Sequence, residues 1–330
     1  MVRIIELDCI SLYGTYYFTL VIMKLILAGG SGFLGSTFID SFRTRAEKIT
    51  VLTRGENSTS GNVHYVHWDG RSLGPWTSSL EGADVLINLT GKNVNCRYTG
   101  NNRTEILKSR LDSTRVLGKA MERTQHAPPL WIQCSSATIY RDSTDKLMDE
   151  KTGECGNGFS EQVCLQWEGM FNRQLLSATR KVVLRIGIVL DSSGSALPRF
   201  INLAKTGLGG RQGNGQQYMS WIHKKDVLKI VDWLITNPEQ SGVFNVVAPQ
   251  PLTNIKFMQT LREALKIPFA LPMPSWLLSV GSWIIGTEPE LILKSRKVYP
   301  QRLLDKGFVF EFPDLKSALV DLCQPEARKS

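Results

Sequence analysis

The chain has 330 residues, 42% hydrophobic and 21% charged, a composition that fits one large globular α/β domain carrying a smaller second one and excludes a chain disordered along its length. Its formal charge of +9 comes from Lys and Arg spread along the sequence, with no dense basic run and no nucleic-acid module, so no nucleic acid partner is expected. The six cysteines at 9, 96, 134, 155, 164 and 323 form neither a CxxC pair nor a zinc spacing, so reduced thiols, a cytoplasmic location and no metal site are expected.

Residues 1–22 read as an N-terminal extension. The part from Cys9 to Ile22 is apolar yet too short to span a bilayer, and it lacks a small-residue cleavage site. Met23 directly precedes the first sheet strand, so translation is expected to start there; a targeting or membrane segment is the alternative, and no membrane partner is expected.

From Lys24 a short apolar strand runs into Ala28-Gly29-Gly30-Ser31-Gly32-Phe33-Leu34-Gly35, followed by a helix over 33–42. A strand that ends in a tight glycine turn lets the backbone approach a pyrophosphate, and the helix behind it aims its N-terminal N–H groups and positive dipole end at the anion. Gly29, Gly30, Ser31, Gly32, Phe33, Leu34 and Gly35 are therefore the first candidate cofactor-binding residues.

A second strand over 49–53 ends at Thr53 and Arg54, about 20 residues beyond the glycine turn, where the ribose is read. An acidic residue there favours the 2′-hydroxyl of NAD; Arg54 suits a 2′-phosphate, so NADP(H) is favoured and NAD(H) is the alternative. Residues 55–61 read as a mobile loop. A third strand over 63–68 closes on Asp69, on the adenine side. The buried run 84–91 brings Asn88, Leu89, Thr90 and Gly91 to the carboxyl edge, with Asn88 expected at the nicotinamide ribose. A helix is expected over 103–121 and strands over 130–135 and 182–186. Alternating strands and helices from 23 to about 190 define a doubly wound parallel sheet of Rossmann-like α/β class, 191–272 supplies substrate-domain elements interleaved with it, and Pro268, Pro272 and Pro274 precede a last helical module over 276–322.

The GxxGxxG spacing resembles the extended short-chain dehydrogenase/reductase and nucleotide-sugar epimerase group. Further strings narrow the resemblance: Ile87-Asn88-Leu89-Thr90-Gly91, Ser109-Arg110-Leu111-Asp112-Ser113-Thr114-Arg115, Leu184-Arg185-Ile186-Gly187, Gly207-Leu208-Gly209-Gly210, Ser220-Trp221-Ile222-His223 and Val298-Tyr299-Pro300-Gln301-Arg302-Leu303-Leu304. In this order they resemble the epimerase-like oxidoreductases of the NAD-dependent epimerase/dehydratase superfamily that carry a C-terminal DUF1731 module, here 273–322. The resemblance implies a Rossmann-like fold with a smaller C-terminal α/β substrate domain and dinucleotide binding; Arg110 is read with the cofactor residues, and clamping backbone carbonyls within its helix is the alternative. A homodimer is expected only from the fold class.

Relatives in the wider superfamily use a tyrosine acid/base, a lysine four residues later and a serine at a strand end. The serine matches Ser136 in Cys134-Ser135-Ser136-Ala137-Thr138-Ile139-Tyr140, placed to hydrogen-bond a substrate oxygen or to cap a turn. The other two positions fall on Ser160 and Cys164, neither of which supplies a phenol or a fixed cation. Three substitutes are weighed: Tyr140, read first as a packing tyrosine and second as a phenol donor; Cys164, first an inert buried thiol and second an acid/base; His223, first a helix cap and second a substrate ligand. Lys92, Asn93, Arg97 and Arg211 are candidate contacts to an anionic substrate. Two readings follow: an NADP(H)-dependent epimerase-like oxidoreductase acting on a small polar, phosphorylated or nucleotide-linked molecule, and a non-catalytic dinucleotide-binding sensor or interaction protein, including one associated with cell division.

Overall fold

The computed structural model describes residues 3–11, 14–274 and 290–323. In chain order the elements are β1 (Arg3–Ser11), β2 (Gly14–Ala28), α1 (Phe33–Phe42), β3 (Ala46–Thr53), β4 (Ser58–Ser60), β5 (Val63–His67), β6 (Val85–Asn88), α2 (Gly100–Arg123), β7 (Leu130–Ser136), α3 (Phe159–Asn172), β8 (Arg180–Ile186), β9 (Ile188–Leu190), α4 (Leu197–Lys205), β10 (Tyr218–Met219), β11 (Trp221–His223), α5 (Lys224–Thr236), β12 (Gly242–Val246), β13 (Leu252–Thr253) and α6 (Asn254–Ala264). Short helices follow at Glu290–Leu293, Gln301–Asp305 and Leu315–Cys323.

The main sheet runs β12-β8-β7-β6-β2-β3-β5-β4. Its pairs are parallel from β12 to β5, and β4 closes the edge antiparallel to β5. Connections from β2 wind one way to β3 and β5 and the other way to β6, β7 and β8. The chain therefore reverses between β2 and β6, and a crevice opens beyond the carboxyl ends of those two strands, where such sheets bind their ligands.

Burial on both faces explains why the end of β2, Leu25 to Ala28, is apolar without alternation. Leu25 and Leu27 point into a core shared with Phe38 and Phe42 of α1 and Ile230 and Leu234 of α5, while Ile26 and Ala28 point into the opposite core with Val116 and Leu117 of α2 and Phe171 of α3. A third core joins α4, α6 and the terminal helix through Phe200, Phe257 and Leu319.

Two expectations are revised. Residues 55–61 are not a free loop: Ser58–Ser60 pairs with β5, and Asn57 Oδ1 accepts the N–H of His67 at 2.6 Å, so the turn carrying Arg54 is tied to the sheet. Helix α2 starts three residues before Arg103, because Thr99 caps it by accepting the N–H of Asn102 at 3.3 Å. Ahead of Met23, the first part of β2 pairs with β1 as an antiparallel hairpin. The helical expectation over 276–289 lies outside the described residues. Among the described residues, no helix is long and apolar enough to cross a membrane.

The C-terminal module is woven into the body of the fold. Residues 294–302 form a strap between the connection that follows β7 and the strands β10 and β12. On one side Ser295 donates its N–H to Asp142 Oδ1 and its hydroxyl to Ser143 O, and Met148 exchanges backbone bonds with Lys297 and Tyr299. On the other, Arg296 N–H reaches Tyr218 O, Ser220 Oγ accepts Val298 N–H, and Asn245 Nδ2 donates to Tyr299 O.

Candidate dinucleotide site

The glycine turn is built by contact. Gly29 adopts φ +77° and donates its N–H to Leu52 O at 3.0 Å; a Cβ there would lie 2.9 Å from the Thr90 Cα, so the turns after β2 and β6 meet with no room between them. A Cβ on Gly35 would sit 2.2 Å from Gly30 O, so α1 rests directly on the turn. Gly32 faces open space, with no atom within 4 Å of its ideal Cβ. It is the N-cap of α1 without a side-chain cap, and the first turn of the helix carries no acidic residue. Its leading N–H groups thus meet neither a carboxylate nor a capping oxygen, a cradle that fits a phosphate. Ser31 is exposed beside it, Leu34 packs against the core of the α1 face, and Phe33 lies under Gly194, whose Cβ would be 2.7 Å from its ring.

The adenosine end is set by β3 and β5. Thr53 Oγ1 accepts the N–H of Gly55 at 3.2 Å, which turns the chain outward and leaves Arg54 exposed. Asp69 Oδ1 accepts the N–H groups of Ser72 and Arg71, each at 2.8 Å, and these bonds hold its carboxyl below the usual range. Sequence reasoning passed over Arg71; its signal was the string Asp69-Gly70-Arg71-Ser72, a turn leaving a strand end next to that of Arg54.

At the end of β6 the structure corrects the role expected for Asn88. Its side chain is fully buried: Nδ2 donates to Gln133 Oε1 at 3.0 Å and Thr114 Oγ1 at 3.3 Å, and Oδ1 accepts Thr90 N–H at 3.1 Å. Both of its amide protons are used inside the protein, and the side chain shapes the turn that presses Thr90 against Gly29. Leu89 continues the ladder by donating its N–H to Ala28 O at 2.8 Å. Thr90 Oγ1 is a buried oxygen with no hydrogen-bond partner among the described residues, beside the glycine turn. Arg110, expected as a cofactor ligand, donates to the carbonyls of Ile106 and Lys92, stacks on Trp167 and leaves Gly91 no room for a side chain. It braces the wall of the crevice.

Beyond β7, Ser136 caps the following turn: its Oγ accepts Thr138 N–H at 3.2 Å and bonds Thr138 Oγ1 at 2.9 Å. It is half-buried and keeps hydrogen-bonding capacity in reserve. Tyr140 is fully buried; its hydroxyl donates toward Asn245 Oδ1 and Asp149 O and accepts from Arg185 Nη1 at 2.9 Å, and burial raises its pKa. Arg185 in turn grips Glu168 through two bonds, at 3.0 and 2.8 Å, while Ser135 donates to the same carboxylate at 2.7 Å. Burial pushes the Cys164 thiol up to about 12, a value at which it stays protonated near neutrality. The hydroxyl of Ser160 is buried without a hydrogen-bond partner among the described residues.

The residues expected at the substrate do not all converge. Lys92 Nζ is engaged by Asn102 Oδ1 at 2.9 Å and by Glu105. Asn93 Oδ1 accepts Asn95 N–H at 2.8 Å, and Arg97 accepts Asn102 Nδ2 through its carbonyl. These three share the 92–97 loop above α2. Arg211 is exposed on the loop that binds Met273 N–H through its carbonyl at 2.8 Å. His223 is placed elsewhere: wholly buried, it caps α5 by accepting Lys225 N–H at Nδ1, stacks on Phe312 and sets Nε2 3.1 Å from Asp321. With Nδ1 accepting, the ring proton faces the carboxylate, so this side chain fastens the terminal helix. Among the described residues no group of His, Cys, Asp and Glu is arranged to hold a metal ion.

A doubly wound sheet that reverses at a glycine turn, with a helix N-terminus open above it, defines a Rossmann-like protein. The sequence comparisons agree. Residues 25–161 match the NAD dependent epimerase/dehydratase family and residues 273–322 match a domain of unknown function, DUF1731. The mouse epimerase family protein SDR39U1 is 32% identical over 304 residues, covering 91% of this chain and 99% of that protein. Bacillus subtilis YfhF, also described as an epimerase family protein, is 31% identical over 91% of this chain and 98% of its own length. The crystal structure of human SDR39U1 (isoform 2) with NADPH superposes with a TM-score of 0.81 at 30% identity, covering 92% of this chain and 99% of that one. The chain belongs to the NAD-dependent epimerase/dehydratase family, in the branch that ends in a DUF1731 domain.

Proposed function

We propose that the protein binds NADP(H) in the crevice between β2 and β6 and works there as an epimerase-like oxidoreductase on a small polar molecule. The observation that carries this reading is the cradle itself: open space over Gly32, an uncapped α1 without acidic residues in its first turn, and a turn that tolerates no side chain at Gly29 or Gly35. The human relative, crystallised with NADPH, supports the choice of cofactor. When bound, the dinucleotide supplies hydride transfer.

In this reading the backbone from Gly29 to Gly35 holds the pyrophosphate, Arg54 meets the 2′-phosphate, Asp69 orders the turn on the adenine side, and Thr90 offers its unpartnered hydroxyl within the crevice. Ser136 is the hydroxyl that orients a substrate oxygen, and the 92–97 loop contributes polar contacts to the substrate. A phosphorylated or nucleotide-linked substrate suits the arginines near the mouth.

A specific observation favours a second reading, that of a non-catalytic dinucleotide-binding sensor or interaction protein. The hydroxyl of Tyr140 is committed to three protein groups, and by the resemblance drawn from the sequence Ser160 and Cys164 fall at the tyrosine and lysine positions. Titrating tryptophan fluorescence of the whole chain with NADPH and with NADH tests the shared core of both readings. Binding of NADPH that weakens selectively in Arg54→Asp is the expected result, and no binding of either dinucleotide overturns both. NADPH consumption in a screen of small carbonyl and sugar substrates then separates enzyme from sensor.

A further inference from the structure

Arg54 and Arg71 leave neighbouring strand ends. Thr53 pairs in register with His67, and Trp68 donates its N–H to Thr53 O at 2.9 Å, which holds the two exits side by side. The Asp69 carboxylate then takes the N–H of Arg71 itself and fixes its backbone in a tight turn. Neither guanidinium is well neutralised. Arg71 is 67% exposed, and its contact to Asp112 Oδ2 is 3.9 Å long, while Arg115 holds the other oxygen of that carboxylate at 2.6 Å. No hydrogen bond or ion pair engages the Arg54 side chain among the described residues. Glu105 is the carboxylate that feels both, and it is already bonded to Lys92; that bond first, then the charges of Lys92, Arg71 and Arg54, hold its carboxyl low.

Two under-neutralised guanidinium groups that leave neighbouring strand ends and act on the same carboxylate match a phosphate monoester, which carries nearly two charges and three acceptor oxygens, more than one planar fork can cover. A 2′-hydroxyl offers them no comparable partner. We propose that Arg71 is the second ligand of the dinucleotide 2′-phosphate, closing on it from the β5 side as Arg54 does from the β3 side. The assignment rests on the NADP(H) reading above and adds a residue that sets cofactor choice.

The test titrates the whole chain with NADPH, NADH and 2′,5′-ADP, comparing the unaltered protein with Arg54→Ala, Arg71→Ala, Arg71→Lys and the double alanine variant. Removing one charged fork from an exposed phosphate is expected to weaken NADPH and 2′,5′-ADP about tenfold while NADH stays within about twofold. Lysine at 71 restores part of the loss, because it keeps the charge and gives up the fork, and the double variant binds the two dinucleotides alike. Unchanged NADPH affinity in Arg71→Ala, or an equal loss for NADPH and NADH, overturns the role of Arg71. Failure of the unaltered chain to bind either dinucleotide overturns the reading beneath it instead, so the two failures are distinct.

Discussion

The glycine turn makes a prediction in which folding and binding come apart. In Gly35→Ala the new methyl would begin 2.2 Å from Gly30 O and 2.4 Å from Gly30 C and Cα, against the 3.4 Å at which ordinary contact starts. Both partners are backbone, so no rotamer relieves the clash, and α1 must back away from the turn by about an ångström. The helix is anchored by Phe38 and Phe42 in the core, so that movement is expected to cost about 1–3 kcal/mol in a denaturant melt. It also drags the N–H cradle off the pyrophosphate, and NADPH affinity should fall at least about tenfold. Gly32→Ala is the counterpart. Its φ of −86° and ψ of 178° suit alanine and no atom lies within 4 Å, so stability should drop by no more than about 1 kcal/mol, from a poorer N-cap. Affinity should nonetheless fall, because the methyl fills the space assigned to the phosphate. NADPH binding by Gly32→Ala equal to that of the unaltered chain refutes that placement, and a Gly35→Ala protein unchanged in stability refutes the packing argument.

Other consequences are as direct. Glu168→Leu leaves the buried Arg185 without its carboxylate and is expected to cost about 3–5 kcal/mol by urea titration, most of it recovered in the double variant Glu168→Leu/Arg185→Met. With its thiol pushed up to about 12 and its side chain buried, Cys164 should resist alkylation at pH 8 in the folded protein while exposed Cys155 is modified first, as read by peptide mass spectrometry. Glu161 is buried between Lys294 at 3.0 Å and Arg296 at 2.9 Å; Glu161→Ala should release the strap, seen as faster amide exchange at 295–299 with protection in β2 and β6 unchanged.

What the sequence disclosed follows the range of the interactions. Helix α1 lies where the glycines place it, at Phe33–Phe42, because strand, turn and helix are decided within a dozen residues. The orientation of Asn88 was hidden: its partners Thr114 and Gln133 lie 26 and 45 residues away, and only the assembled sheet turns the amide inward. For His223 the local part was legible, the cap on α5, whereas its contacts with Phe312 ahead of the terminal helix and Asp321 within it come from a docking that no local pattern announces. The β4 pairing was missed because Ser58-Thr59-Ser60 carries the polar signature of a loop and none of the apolar alternation of a buried strand. The strap was least legible of all. Its bonds described above join residues 54 to 153 positions apart, and a single sequence contains no trace of such pairings.

The same distant contacts bear on what the site does with protons. In the wider superfamily a lysine beside the acid/base tyrosine keeps the phenol within reach of neutral pH. Here α3 offers the unpartnered hydroxyl of Ser160 and a thiol pushed up to about 12, and neither ionises near neutrality. The strong cation of that region, Arg185, is spent on Glu168 and on the hydroxyl of Tyr140, and Tyr140 is fixed in turn by Asn245, which the strap holds through Tyr299 O. Freeing the phenol for catalysis means breaking a buried network that spans α3, β8, β12 and the C-terminal module, which makes Tyr140 part of the frame. In the reading proposed above, the hydroxyls of Ser136 and Thr90 orient and polarise an oxygen by hydrogen bonding, and such hydroxyls do not titrate at working pH. Turnover, followed by NADPH absorbance, is therefore expected to show no ionisation from α3 or Tyr140 between about pH 6 and 9. A bell-shaped profile that loses one limb in Tyr140→Phe would return that phenol to the role of acid.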